Sequence, residues 1–93
     1  MIVVSDIVLS LAGRDKGMCF IVLRQEGQWL WLANGKARRA ECPKRKKSKH
    51  TIRLGRCDDW TCNRIRETGR LSNSEIRKAL AAWQGAGPVS DSN

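Results

Sequence analysis

Ile7-Val8-Leu9-Ser10-Leu11-Ala12, then Gly13-Arg14-Asp15-Lys16-Gly17, then Met18-Cys19-Phe20-Ile21-Val22-Leu23 is the stretch that decides the fold. The outer blocks are apolar and rich in β-branched residues, as strands are. The middle block sets three charged residues between two glycines. Glycine tolerates positive φ and the charges stay in water, so this block is a turn. Within it, Asp15 either pairs with Arg14 or Lys16 or completes the turn. Working outward, Arg24-Gln25-Glu26-Gly27 turns the chain again, and Gln28 to Ala33 makes a third strand. Its alternation puts Trp29 and Trp31 on one face and Leu30 and Leu32 on the other. We expect the leucines to point inward and the tryptophans to pack beneath a C-terminal helix and its Trp83 rather than stack on bases. Asn34-Gly35 is the favoured pair for a type I′ hairpin, so the chain should double back through Lys36 to Cys42. Thr51 to Leu54 is a short last strand. Strands about ten residues apart with tight turns between them predict a mainly β fold, a small antiparallel barrel closed on itself. Closure would hide sheet edges that are otherwise open to pairing.

Beyond Gly55 the pattern changes. Asp58 can cap a short helix to about Thr68, and Gly69 ends it. Ser72-Asn73-Ser74-Glu75 is a capping box, in which the Ser72 hydroxyl and the Glu75 carboxylate satisfy each other's free N–H groups. Ile76, Ala79, Leu80 and Trp83 then fall on one helical face. Gly85 and Gly87-Pro88 should stop this helix after residue 84, and residues 89–93 should fray. We therefore expect a barrel over residues 1–56 and a helical C-terminal extension, 57–93, packed on or beside it.

At 93 residues the chain is one domain with a small core. That leaves little room for a deep, water-excluded cleft. No apolar run is long enough to span a bilayer. The N-terminus lacks a basic region followed by a long apolar one, so we expect no secretory leader and a cytoplasmic location. Four cysteines in a reducing compartment are then free thiols, with Cys19 a small core residue. Cys42, His50, Cys57 and Cys62 could be drawn as a zinc site, but gaps of seven, six and four residues match no compact knuckle. We expect no metal and no cofactor. A single His, no Tyr and no Gly-rich phosphate loop suggest that the protein is not an enzyme.

Charge is the most informative feature. Residues 36–53 hold nine cations (Lys36, Arg38, Arg39, Lys44, Arg45, Lys46, Lys47, Lys49 and Arg53) against Glu41 alone, which is +8 of a net +9. Such concentration points to a polyanionic partner rather than to general solubility. The run from Pro43 to His50 is almost wholly polar and self-repelling, so we expect a loop that orders only along phosphates.

The stretch Val8 to Val22 resembles the KOW motif, in which a strand, a Gly-x-x-Lys-Gly turn and an apolar strand recur. The continuation Asn34-Gly35-Lys36-Ala37-Arg38-Arg39, followed by Pro43-Lys44-Arg45-Lys46-Lys47-Ser48-Lys49-His50, is similar to small bacterial KOW-domain RNA-binding proteins. These are relatives of a large-subunit ribosomal protein family of archaea and eukaryotes. The resemblance covers roughly residues 5–55. Phe20 stands where many KOW domains carry a further Gly, and Asn34 where Asp is common. The resemblance implies an SH3-like five-stranded barrel and binding to structured RNA, ribosomal RNA above all, without catalysis. It also implies a ribosome-associated or translation-related role, ribosomal proteins as possible neighbours, and a free protein that is monomeric. By position, the RNA-facing residues would be Arg14, Lys16, Lys36, Arg38, Arg39, Lys44, Arg45, Lys46, Lys47, Lys49 and His50. Two other functions compete. One is an SH3-like protein-interaction module on the ribosome or the transcription machinery, favoured if Trp29 and Trp31 are exposed. The other is non-specific binding of DNA or an anionic membrane by the basic run alone.

Overall fold

The computed structural model describes residues 1–86, so the expected fraying of residues 89–93 and the Gly87-Pro88 stop lie outside the described residues. Five antiparallel strands form one sheet: β1 (Asp6–Ser10), β2 (Cys19–Glu26), β3 (Trp29–Ala33), β4 (Lys44–Lys47) and β5 (Thr51–Arg56). Two helices follow, α1 (Asp59–Thr68) and α2 (Asn73–Ala86). The strand order is β4-β3-β2-β1-β5. The mainly β expectation holds, but the sheet is not closed: β4 and β5 are its two edges and form no ladder with each other.

They are nevertheless close, because only the 3-10 turn Ser48–His50 joins them. A flat sheet of five strands would hold its edges about 19 Å apart, whereas the chain from Lys47 to Thr51 reaches at most about 15 Å. The sheet must therefore curl. Bulges at Leu54 of β5, opposite Ile7 and Val8, and at Leu23 of β2 add local bend and twist.

Curling buries both faces. Val8, Phe20, Val22, Leu30 and Leu32 fill one side, so the leucines of β3 do point inward. On the other side Ile7, Ile21 and Ala33 pack against Ile65, Leu71, Ile76, Ala79 and Leu80 of the helical region, with Trp83 half-buried beside them. The sheet and both helices share this second core.

The local helix signals fare well. The Asp58 carboxylate accepts from the Thr61 amide at 3.1 Å, and Gly69 ends α1 at φ 72°. Ser72 N donates to Glu75 Oε1 at 2.8 Å and Glu75 N to Ser72 Oγ at 3.1 Å, the reciprocal box. Helix α2 runs through Gly85 to Ala86 instead of stopping after residue 84.

Four expectations need correction. Residues 24–26 are strand, because the bulge lets β2 continue, and the turn is at Gly27-Gln28. Asn34-Gly35 is not a type I′ hairpin turn: Gly35 has φ 79° but Asn34 does not share the left-handed region that such a turn requires at both positions. The basic residues Lys44–Lys47 form an edge strand, not a loop, because β3 offers them a ladder. Finally, α2 does not cover Trp29 and Trp31: of β3 only Ala33 shares its core, and Trp83 lies instead against Gly55.

Candidate nucleic-acid interface

The turn between β1 and β2 is built around a buried carboxylate. Gly13 (φ 84°) and Gly17 (φ 89°) bracket it, and the Gly17 amide closes it onto Ser10 O at 2.8 Å. Asp15 points inward, where its Oδ1 accepts from Ser10 Oγ at 2.8 Å and from Lys46 Nζ at 2.9 Å. Its Oδ2 faces the Lys44 ammonium at 3.4 Å. Asp15 thus pairs with neither Arg14 nor Lys16. Burial opposes its ionisation, but hydrogen bonds from Lys46 and Ser10 and the charges of Lys46 and Lys44 outweigh that cost, holding the carboxyl below its ordinary value. Arg14 and Lys16 are left exposed on a turn that is fixed from within.

Strand alternation splits the basic run. Lys44 and Lys46 lie opposite Leu32 and Leu30, and Lys46 is buried with a further bond to Ala12 O at 2.8 Å. Two of the three donors of this buried ammonium are spent inside the protein and its charge is paired, so Lys46 pins the scaffold. Arg45 and Lys47 lie opposite Trp31 and Trp29 on the other face. Lys49 and His50 are exposed on the 3-10 turn. Arg53, whose Nε donates to Asp6 Oδ2 at 3.0 Å, has its charge partnered.

Residues 34–43 form an irregular loop carrying Lys36, Arg38 and Arg39, all exposed. Asn34 Oδ1 organises its start, accepting from the amides of Lys36 (3.0 Å) and Arg38 (2.9 Å). Helix α2 holds the rest. Asn73 Oδ1 accepts from Ala40 N at 2.7 Å, Asn73 Nδ2 donates to Glu41 Oε1 at 2.8 Å, and Arg77 donates to Gly35 O at 2.7 Å. The bond from Asn73 also draws the Glu41 carboxyl below its ordinary value. Sequence reasoning missed Asn73 and Arg77. Asn73 reads as a filler inside the capping box, and no local pattern points to a loop 33 residues upstream.

The turn and the loop border one open cleft of about 520 Å3, with Gly17 and Met18 on one side, Asn34 and Lys36 on another, and Arg77 and Gln84 as its helical wall. Of the expected residues Lys36 lines this cleft, while Arg14 and Lys16 lie on the turn that borders it and Arg38 and Arg39 on the loop. The β4 residues do not line this cleft. On the face of β2, β3 and β4 away from the leucines, the Arg45 guanidinium lies 4.4 Å and the Lys47 ammonium 5.4 Å from the Trp29 ring centre. Arg24 lies 4.7 Å from the Trp31 ring centre and pairs with Glu26.

Among the described residues, no three His, Cys, Asp or Glu side chains gather to hold a metal. Cys57 and Cys62 are buried 3.1 Å apart, while Cys42 is exposed. Burial, then the bond to Cys62, pushes the Cys57 thiol up to about 12, so it stays protonated. Burial also raises Cys62, but bonds with Ser5, Cys57 and Arg56 leave it below its ordinary value.

No known family model matches this chain, and no curated protein matches it either.

Proposed function

We propose that this protein is an RNA-binding module that docks on folded RNA, with ribosomal RNA the first target to test. The observation that carries the reading is that two fixed segments border one cleft: an internally tied turn that carries the exposed Arg14 and Lys16, and a helix-held loop that carries Lys36, which lines the cleft, and the exposed Arg38 and Arg39. Cations on rigid backbone can match phosphate positions that differ between RNA shapes, and RNA helices are recognised mostly by shape. Affinity comes from counterion release and rises with the number of phosphates met. The strand order and the 3-10 turn joining the sheet edges support reading the fold as a KOW-type, SH3-like barrel with its last ladder open. In this reading the protein performs no catalysis, needs no cofactor, and works in the cytoplasm on the ribosome, monomeric when free. No described helix is long and apolar enough to cross a membrane.

The test is an anisotropy titration of ribosomal RNA and a random RNA of equal length, with wild type and the Arg14→Ala/Lys16→Ala variant. The variant should lose more affinity for ribosomal RNA than for the random RNA. Equal losses would reduce the protein to a non-specific polycation.

One observation favours protein docking as a second reading: β5 is an unpaired edge with Ile52 and Leu54 exposed. Ribosome association that survives complete nuclease digestion and is lost on Ile52→Lys would favour it over RNA binding.

A further inference from the structure

We propose that the Trp29–Trp31 face is a second RNA contact that takes unpaired bases, distinct in chemistry from the phosphate-facing cleft. The proposal rests on the RNA-binding reading and specifies which part of the RNA meets this face.

Neither ring belongs to either apolar core, and both are only half-buried. Their covering groups are the cations of two neighbouring strands, Arg24 from β2 and Arg45 and Lys47 from β4. The only carboxylate of this group is Glu26, paired with Arg24, so three cations meet one acid and the face is positive. A positive face of this composition is poorly suited to an apolar protein partner. Indole rings and guanidinium planes are the surfaces on which unpaired bases stack, with cations supplying the adjoining phosphate contacts. Same-face residues on a strand sit about 6.8 Å apart, twice the roughly 3.4 Å step of a stacked strand. The two rings therefore suit bases that have left the stack rather than a continuous duplex, whose π-faces are closed.

The face is also continuous with the proposed interface. Ser48 N donates to Gln28 O at 2.8 Å beside Trp29, and Leu11 N donates to His50 O at 2.9 Å where the β1–β2 turn begins. The 3-10 turn with Lys49 and His50 thus bridges the two sites. A basic track runs from Arg45 and Lys47, through Lys49 and His50, to Arg14 and Lys16. An RNA helix held at the turn could pass a loop or a single-stranded end along this track to the rings.

The experiment uses the full chain and two fluorescent RNAs, a short oligouridine and a blunt duplex of the same length, compared by anisotropy. Trp29→Leu/Trp31→Leu should weaken oligouridine binding by about ten-fold or more and duplex binding by less than about two-fold. Trp29→Phe/Trp31→Phe, which keeps an aromatic plane and serves as the folding control, should retain most oligouridine affinity. Arg14→Ala/Lys16→Ala should show the converse preference, weakening the duplex more. Equal losses on both RNAs in the leucine variant, or equal losses in the Phe and Leu variants, would overturn the proposal. So would unchanged oligouridine binding in the leucine variant, which would leave the face to a protein partner while the cleft reading stands. Failure of wild type to bind either RNA would overturn both readings.

Discussion

Lys46 Nζ sits 2.9 Å from Asp15 Oδ1, a contact spanning 31 residues that fastens edge strand β4 to the turn between β1 and β2. Both side chains are nearly buried, with exposures of 8% and 10%. A residue that composition assigns to phosphate binding thus holds the scaffold, while its neighbours Arg45 and Lys47 face outward.

Adjacent lysines should therefore behave differently. Lys46→Ala strands a buried carboxylate and should cost about 3 kcal/mol or more in urea unfolding. Lys47→Ala should change stability by under about 0.5 kcal/mol. Asp15→Asn/Lys46→Met, which removes both charges together, should recover part of the loss. Equal, small effects of the two single substitutions would show that the buried pair does not hold the turn.

The same pair sets a pH dependence. The folded-state value of Asp15 lies below its ordinary one, so its contribution is complete above the ordinary carboxylate value and is lost as pH falls through the lower, folded value. Unfolding midpoints measured from neutral pH downward should fall in that acidic window, and the Asp15→Asn/Lys46→Met variant should show a shallower fall.

Loop and helix should be coupled through Gly35. A Cβ there would come 2.6 Å from Asn73 O, on a backbone already at φ 79°. Gly35→Ala should cost more than about 1 kcal/mol. Asn73→Ala removes the acceptor for the Ala40 amide, whose hydrogen exchange should speed up while the amides of β1 and β2 keep their protection. Unaltered exchange at Ala40 would show that α2 does not hold the loop.

The salt dependence of RNA binding should count only the free cations of the basic run. Changing Arg45, Lys47 and Lys49 to Ser should flatten the slope of log K against log salt by about two to three. Adding Lys46→Ser should flatten it no further, because that ammonium is already paired. A further drop of nearly one would mean that Lys46 reaches phosphate.

Much of the fold is legible locally. The Asp58 cap, the Gly69 stop, the Ser72–Glu75 box and the outward tryptophans against inward leucines of β3 all depend on residues within a few positions of one another. Propensity and periodicity act at that range, so the sequence by itself determined where the helices begin and which way β3 faces. It also determined that positive charge gathers in residues 36–53.

The tertiary structure decided the rest. Whether a lysine of β4 meets solvent, a tryptophan or Asp15 follows from pairing with β3 and from a sheet curled enough to bring β4 to a turn 31 residues away. Asn34-Gly35 has the chemistry of a hairpin, but Asn73 and Arg77, the latter 42 residues from Gly35, hold it in another conformation. Trp29 and Trp31 stay outside the cores because, of β3, only Ala33 joins the core that α2 packs against. Each outcome turns on a partner distant in the chain. Which partner arrives depends on how the whole sheet bends, and no local pattern of residues encodes that.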